Sequence, residues 1–334
     1  MNIQSHRLQD GSNLVLSTTA PGQARECGLI KVVGGGRGCV LKVGGSVAGV
    51  WIPLRGRLQL SVGEGDTTLV PGEVRITELE PRTQAVGRGS ALWVALLAGA
   101  QTWREALREA QTGPGPDPLL FPARYAASRE LKIDAIALAR SQANGSLDAA
   151  ANRMVDRLVS LQSGLDGAIA CCPGRTYSQR RQVFLRLQRV RNYLASNCNL
   201  ELDNAALARM ANYSPWHFIR AFRAAYAETP HAYLVNLRLQ RALELLQSSP
   251  LAIAEIALAC GFENRCAFSR LFHQRFGVTA GALRRQLADE PTRVIAQLLQ
   301  RGSALTDNAS ESRFPNVWNR TPRVLRAPCH GRSG

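Results

Sequence analysis

The amino-acid sequence predicts an α+β multidomain protein, in which a β-barrel with a helical hairpin precedes an all-α domain with two helix-turn-helix motifs. Three observations lead to this fold class. Short apolar stretches alternate with glycine-rich breaks from about Leu14 to Leu97. Two amphipathic helical patterns flank Asn144. Behind residue 180 the chain reads as successive helices with tight turns. The length of 334 residues suggests two domains, and 45% hydrophobic residues can form ordinary buried cores.

The first predicted domain, residues 1–165, begins as a series of short strands. Turn signals recur every 8–12 residues, a spacing that is typical of sandwiches and small barrels. The segment from Ile52 to Leu60, followed by Val70-Pro-Gly-Glu, looks like a cupin-type jelly roll, which places a Pro-Gly turn before a strand. We therefore expect a cupin-like barrel. Its predicted strands are Leu29–Val33, Cys39–Val43, Val47–Pro53, Leu58–Val62, Thr67–Val70, Glu73–Leu79 and Leu92–Leu97.

A proline-rich connector, residues 114–122, leads into two predicted helices. They run from about Ser128 to Ala143 and from about Leu147 to Gln162, each with apolar residues on one face. Such a hairpin could cover the barrel or pair with a second copy in a homodimer, and the sequence leaves both open. Residues 166–179 contain glycine and proline and are predicted to be a linker. Residues 291–334 are predicted to be a flexible basic tail.

Positive charge is concentrated in the C-terminal half. The chain has 41 Lys+Arg against 25 Asp+Glu, a formal net charge of +16. The net charge is +3 for residues 1–174, +8 for residues 175–290 and +5 for residues 291–334. Nearly all of the cations are arginines, which suit contacts to phosphate and guanine. Basic tails and GC-rich genomes also produce such an excess, so it only favours a nucleic-acid partner.

Cysteine and histidine usage argues against a metal centre. None of the eight cysteines forms a Cys-x-x-Cys pair, and His6 is the only histidine before residue 217. We expect reduced thiols, although the adjacent Cys171 and Cys172 could sense oxidants or metals. A metal-dependent oxygenase site, a phosphate loop and a nucleophile elbow are all missing from the sequence, so neither an enzyme nor a cofactor is expected. With no apolar run long enough for a membrane span and no signal core, we expect a cytoplasmic location.

Two helix-turn-helix patterns lie between residues 180 and 290, the second predicted domain. In the first, a short helix from about Leu202, capped by Asp203 or Asn204, precedes a helix that Ser214-Pro215 opens. In the second, Ile253 opens a short helix. Gly261 supplies its left-handed stop, and Asn264 caps the next helix. Leu207-Ala208 and Ile256-Ala257 are equivalent, 49 residues apart. A helix of 17 residues, from about His231 to Gln247, would span about 25 Å and set the motifs about 34 Å apart, one turn of duplex.

The second motif reads Ile253-Ala-Glu-Ile-Ala, then Gly261-Phe, Phe268-Ser-Arg-Leu-Phe and Phe276-Gly-Val. Over roughly 105 residues this region resembles the AraC/XylS-type family of bacterial transcription regulators. The resemblance implies a sequence-specific regulator, more often an activator, that reads promoter DNA in successive major grooves and works with RNA polymerase. It also implies an N-terminal domain that binds a small-molecule effector or dimerises. The sequence departs from the family at Ala227, Ala280 and Leu283, where Gly, Pro and Tyr are usual.

The resemblance also implies which residues face DNA. In the first motif they are Trp216, Ile219 and Arg220, and in the second they are Arg265, Cys266, Ala267, Ser269 and Arg270. Further arginines would contact the phosphate backbone, namely Arg223, Arg238, Arg275, Arg284 and Arg285. Other roles are open: Trp216 could be a core residue, and Arg270 could form a salt bridge with Glu255 or Glu263. Phe218, Phe222, Phe262, Phe268 and Phe272 are expected in the core.

Two other functions compete with site-specific regulation. A non-specific architectural protein would use the same basic helices to bind every duplex equally well. An enzyme could use the helical domain as an anchor only. In the N-terminal domain, Trp51, Trp93 and Trp103 could hold an apolar effector, although tryptophans more often belong to the core.

Overall fold

A computed structural model describes residues 2–17, 29–63, 65–110, 119–140 and 146–289. The predicted basic tail lies outside the described residues, and so does most of the proline-rich connector. Within these ranges, no helix combines the length and the apolar character that a membrane crossing requires.

The N-terminal region is rich in β-structure. Two of its strands are much longer than predicted, because β4 joins three of the expected strands and β6 joins two. Three others, β1, β2 and β7, are not among the predicted strands. The seven described strands are β1 (Asn2–Arg7), β2 (Asn13–Ser17), β3 (Leu29–Gly35), β4 (Val40–Val62), β5 (Gly65–Leu69), β6 (Glu73–Ala98) and β7 (Ala123–Ala126).

Strands β4 and β6 are antiparallel. Each bends, so that the two ends of one strand pair with opposite edges of the middle of the other. The middle of β4 lies between two parts of β6, since Val50 pairs with both Ile76 and Leu96. The middle of β6 lies in the same way between the two halves of β4. The described strands therefore form two linked sets, one ending at β1 and β7 and the other at β2 and β5. These end strands do not pair with one another, so the sheet is not closed and the predicted barrel is not confirmed.

Both sets of strands contribute to one apolar core. Trp51 and Trp93 are fully buried in it, together with Leu41, Leu58 and Leu60. The indole N–H of Trp51 donates to Thr77 Oγ1 at 3.1 Å. Trp103 is also buried, and its indole N–H donates to the carbonyl of Ala48 at 3.0 Å. All three tryptophans that could have held an effector are therefore packed inside the protein.

Three helices accompany the sheet: α1 (Ala100–Ala110), α2 (Arg129–Arg140) and α3 (Ser146–Gln162). The last two confirm the helical hairpin, whereas α1 was not predicted. The hairpin is held by buried leucines and by contacts of Asp134 with two arginines of α3, one of which is Arg157, whose Nε lies 3.9 Å from Asp134 Oδ2. The carboxylate of Asp134, which is buried, accepts a hydrogen bond from Arg153 Nε at 2.9 Å.

The remaining described chain is all-helical, as predicted. A 3₁₀ turn at Ser163–Leu165 precedes the segment predicted to be a linker, residues 166–179. The short helix α4 occupies part of that segment, and its Ala168 and Ile169 are buried. The helices are α4 (Asp166–Cys171), α5 (Tyr177–Ser196), α6 (Asn204–Met210), α7 (Pro215–Tyr226), α8 (Pro230–Ser248), α9 (Ile253–Ala259), α10 (Arg265–Phe276) and α11 (Ala280–Asp289).

The chain divides into two compact units, and the division falls inside the helical region. One unit contains residues 1–197 and 203–230, so α6 and α7 share it with the sheet. The other contains residues 198–202 and, among the described residues, 231–289, including α9 and α10. In this second unit α11 packs through Ala280 and Leu283, two of the positions at which the sequence departs from the family pattern.

Candidate nucleic-acid interface

The first helix-turn-helix motif consists of α6, a short turn and α7. The Asp203 carboxylate caps α6 by accepting from the amides of Ala205 at 3.1 Å and Ala206 at 3.3 Å. Asn212 takes a left-handed conformation in the turn, with φ of 56°. The amide of Tyr213 then donates back to the carbonyl of Ala208 at 2.9 Å, which closes the turn. Pro215 begins α7, where the absence of its N–H costs nothing.

One face of α7 is buried and the opposite face is open. Phe218 and Phe222 are fully buried, as predicted. Trp216 is 60% exposed, so it is not a core residue. Arg220 is also exposed, and its guanidinium lies over the Trp216 ring at 4.6 Å. This cation–π contact orders the arginine and presents both side chains together on the outer face.

The other residues predicted on this face lie beside the Arg220–Trp216 pair along α7. Arg223 is exposed and Ile219 is half-buried. His217 was not predicted: its Nδ1 lies 2.7 Å from Ser214 Oγ. Ser214 occupies the N-cap position but makes no side-chain bond to the helix backbone. The three-residue spacing of serine and histidine was the signal in the sequence, since it places both at the first turn.

The second motif, α9 with α10, repeats the geometry of the first. Gly261 is left-handed with φ of 85°, as predicted, and the Phe262 amide donates to the Ala257 carbonyl at 3.0 Å. These positions lie 49 residues after Asn212, Tyr213 and Ala208 of the first motif. A side chain at Gly261 would also collide with the backbone, because an added Cβ would lie 2.8 Å from the Asn199 carbonyl oxygen. Asn264 caps α10 by accepting from the Cys266 amide at 2.7 Å.

The outer face of α10 is polar and basic. Arg265, Cys266, Ser269 and Arg270 are exposed, and Ala267 is half-buried. On the inner face, Phe268 and Phe272 are fully buried, with ring centroids 5.4 Å apart. The sequence of α10 contains three arginines and no acidic residue, and α7 contains two arginines and no acidic residue.

Arg270 is not in the salt bridge that the sequence allowed. In the described part of the chain its guanidinium pairs with neither Glu255 nor Glu263. The carboxylate of Glu255 instead accepts from the Ala252 amide at 2.7 Å, which caps α9. The charge of Arg270 therefore faces outward.

Arg238 does not fit its predicted role as a phosphate contact. Its Nε donates to the Cys198 carbonyl at 2.7 Å, and its Nη2 donates to the Leu200 carbonyl at 2.8 Å. The guanidinium thus fastens residues 198–200 to α8. Among the other arginines expected at the phosphate backbone, Arg285 is exposed, and Arg275 and Arg284 are half-buried.

Comparison with known proteins gives one family match and several relatives. A sequence model described as "Helix-turn-helix domain" matches residues 207–286. The "HTH-type transcriptional regulator GlxA" of Rhizobium meliloti (strain 1021) is 44% identical over 85 residues, covering 25% of this chain and 26% of that protein. The "HTH-type transcriptional activator RhaR" of Pectobacterium carotovorum subsp. carotovorum (strain PC1) is 43% identical over 76 residues, covering 21% of this chain and 26% of that protein. The "Probable transcription factor PqrA" of Proteus vulgaris is 32% identical over 91 residues, covering 27% of this chain and 73% of that protein.

The fold and the two open basic helices define a helix-turn-helix protein. The matched residues span about a quarter of the length of the first two relatives and about three quarters of the third. The chain belongs to the AraC/XylS-type family of transcriptional regulators, as the sequence motifs indicated. The relatives are named as regulators of transcription and not as enzymes.

Proposed function

We propose that this protein is a sequence-specific DNA-binding transcriptional regulator that inserts α7 and α10 into successive major grooves of promoter DNA. The observation that supports this most strongly is the shared design of the two helices. Each has a phenylalanine face buried in its own motif and an exposed face with arginines. In helix-turn-helix motifs the second helix, which follows the short helix and the turn, lies in the major groove of duplex DNA.

The exposed side chains divide into two roles in this proposal. Arg220, Arg265 and Arg270 read bases, because a guanidinium can bond bidentately to O6 and N7 of guanine. Trp216 and Ile219 pack against sugar or a thymine methyl group, and Ser269 bonds a base or a phosphate. Further positioning contacts come from arginines at the edges of the motifs, namely Arg223, Arg275, Arg284 and Arg285.

For the N-terminal region we propose a cupin-like domain that binds a small-molecule effector or dimerises. The bent strands β4 and β6, which build two sets of neighbours around one core, support the cupin-like interpretation. Because Trp51, Trp93 and Trp103 are buried, an effector would contact other residues. In a homodimer the two copies would meet through the open face of the helical hairpin, on which Ile133 of α2 is 55% exposed. An activating role, in contact with RNA polymerase, is proposed by analogy with the relative named as an activator.

Thiol alkylation tests whether DNA covers α10. Cys266 on α10 and Cys171 on α4 are both exposed, so each serves as a probe. Cys172 and Cys260 are buried, and burial raises the pKa of each thiol to about 12, which keeps them slow to react. We expect a duplex selected by the full chain from a random pool to slow alkylation of Cys266 about tenfold or more. At a DNA concentration about ten times Kd, only about a tenth of the chains are free to react.

The matched control is Cys171, whose alkylation rate should stay the same with and without DNA. Both rates can be followed by mass spectrometry of tryptic peptides. Equal protection of the two thiols, or protection of neither, would contradict the placement of α10 in the groove.

A further inference from the structure

We propose that the N-terminal sheet positions the first recognition helix, α7, through α5, and thereby sets affinity for the first half-site without changing the second. This inference rests on the proposed function, because it assumes that α7 and α10 read separate half-sites. It assigns a positioning role to residues that are remote from the outer face of α7: Arg75 and Glu78 on β6, Gln188, Arg189 and Asn192 on α5, and Tyr226 at the end of α7.

Strand β6 holds α5 by a buried contact and an exposed one. Arg75 Nη1 donates to Asn192 Oδ1 at 3.2 Å, and both residues are at least 95% buried. Asn192 Nδ2 donates in turn to the Pro122 carbonyl at 2.9 Å. Outside this buried contact, Arg189 forms a two-pronged salt bridge with Glu78, in which Nε lies 2.6 Å from Oε2. Two-pronged arginine–carboxylate pairs fix orientation as well as distance.

Strand β5 adds a close backbone approach to the same helix. Gly65 begins β5 and has φ of 126°, a conformation that side chains disfavour. A Cβ added at Gly65 would lie 3.1 Å from Ser196 Cβ and 3.3 Å from Asn197 Nδ2. The C-terminal end of α5 is therefore packed tightly on the sheet.

The same polar chain continues from α5 to α7. Gln188 Nε2 donates to Asn192 Oδ1 at 3.5 Å, and Tyr226 Oη donates to Gln188 Oε1 at 2.9 Å. Gln188 is 2% exposed and Tyr226 is 6% exposed. A buried polar group that loses its hydrogen-bond partner is left unsatisfied at a cost in free energy. The hydrogen bonds of this chain are therefore energetically coupled.

An aromatic row runs parallel to the polar chain. Phe121, just before β7, lies edge-on to Phe184 of α5, with ring centroids 5.4 Å apart. Phe184 lies 5.9 Å from Tyr226, and Tyr226 lies 4.7 Å from Phe222. Polar and apolar contacts thus reach the inner face of α7 from residues that the sheet holds in place.

Contact with the sheet should raise, and not lower, affinity for the first half-site, because it involves only the inner face of α7. The contacts that reach α7 are made by the buried Tyr226 and Phe222 on its inner face, whereas Trp216 and Arg220 on the outer face stay exposed with the sheet docked. Docking is therefore compatible with DNA binding, and it removes conformations of α7 that cannot fit a groove. A helix that is already held in its binding position binds more tightly, because less conformational freedom is lost on binding.

Affinity for the second half-site should not depend on the contact between the sheet and α5. Helix α10 belongs to the other compact unit, and its inner face packs on α8, α9 and α11 residues such as Ala242, Ile256 and Leu283. The proposal thus predicts unequal half-sites, which a role in overall stability would not produce.

Charge reversal at the exposed pair tests the proposal in the full chain. Glu78→Arg should weaken binding to the first half-site about tenfold, a typical coupling between sites. The variant adds positive charge, so a purely electrostatic effect would instead strengthen DNA binding. Glu73→Arg is the matched control: it makes the same charge change on β6, but Glu73 pairs with Arg124 of β7. The first half-site is the one at which Arg220→Ala weakens protection and relaxes the base preference.

Two further variants keep the test independent of folding. The exchange Glu78→Arg with Arg189→Glu restores the ion pair in reverse and should restore the first half-site. Tyr226→Phe removes only the hydroxyl group that reaches Gln188, and it should weaken the first half-site while retaining the aromatic packing. Hydroxyl-radical protection of a selected duplex, together with duplexes in which one half-site is scrambled, measures each half separately.

The expected result is loss at the first half-site, less than about a twofold change at the second, and rescue by the exchange. Equal loss at both half-sites, unchanged or tighter binding at the first, or failure of the exchange to rescue would overturn the proposal. A wild-type chain that protects neither half-site on any selected duplex would refute the proposed function, and with it this inference. Wild-type protection of both halves with no asymmetry in the variants would refute the inference alone.

Discussion

Arg220→Ala and Arg270→Ala should each weaken binding to a selected duplex by roughly 1–3 kcal/mol, which is about 5- to 150-fold in Kd. Both guanidiniums are on outer helix faces, and no ion pair in the described part of the chain neutralises either of them. Each alanine variant should also relax the preference at its own base pair. Loss of a base contact and loss of a charge are therefore distinguishable.

Competition binding with duplexes that carry each base at each position measures both effects. Arg129→Ala on α2 is the control, since it removes one exposed positive charge from a helix outside the two motifs. It should leave base preference unchanged. Variants at Arg220 or Arg270 that bound every duplex as the wild type does would contradict the assignment of these side chains to bases.

Phe268→Ala should destabilise the second motif by roughly 3–5 kcal/mol, the usual cost of removing a fully buried phenylalanine. The ring is 0% exposed and lies between Phe262, at 5.2 Å, and Phe272, at 5.4 Å. Because both neighbours are themselves buried in the core, the surrounding structure should relax only partly into the space. The loss of stability should affect α9 and α10 together.

Hydrogen exchange followed by mass spectrometry measures this locally, which suits a chain of two compact units. Amides of α9 and α10 should exchange roughly two to four orders of magnitude faster in the variant, whereas those of α7 should not change. Leu258→Ala is the control, because Leu258 of α9 is 67% exposed and its removal leaves no cavity. Unchanged exchange in α10 of Phe268→Ala would show that the ring is not a core element.

The helix-turn-helix geometry was predictable because its determinants are local. The caps at Asp203 and Asn264 and the left-handed Gly261 each act within a few residues, and residue type alone indicates them. The apolar spacing that placed Phe218 and Phe268 in the core is local in the same sense. The open basic faces of α7 and α10 follow from those inner faces.

The sheet was harder to predict because its pairing is not local. Glycines and prolines that resemble turns are bends inside β4, where register shifts between Gly44 and Val47 and from Pro53 to Arg57 let the strand curve without leaving the ladder. Strand β1 lacks a strong apolar pattern and β2 has only the short stretch Leu14-Val15-Leu16, and both form by parallel pairing with β3 and β4. Neither feature has a signature within a short window of sequence.

The same distinction applies to individual site residues. Arg238 looks like any other basic side chain in the sequence, and only the fold brings the carbonyls of Cys198 and Leu200 to its guanidinium. Asn192 reads as an ordinary helix residue, yet it links Arg75 to Gln188 across more than a hundred residues of chain. Long-range polar contacts of this kind require the tertiary structure.

The central claim is that one chain reads two half-sites with α7 and α10. Selection of duplexes by the full chain from a random pool, followed by competition at fixed salt concentration, tests it most directly. We expect selected sites to contain two preferred segments about one helical turn apart, with Arg220→Ala relaxing one and Arg270→Ala the other. Equal affinity for every duplex of the same length would contradict this account and support a non-specific architectural role.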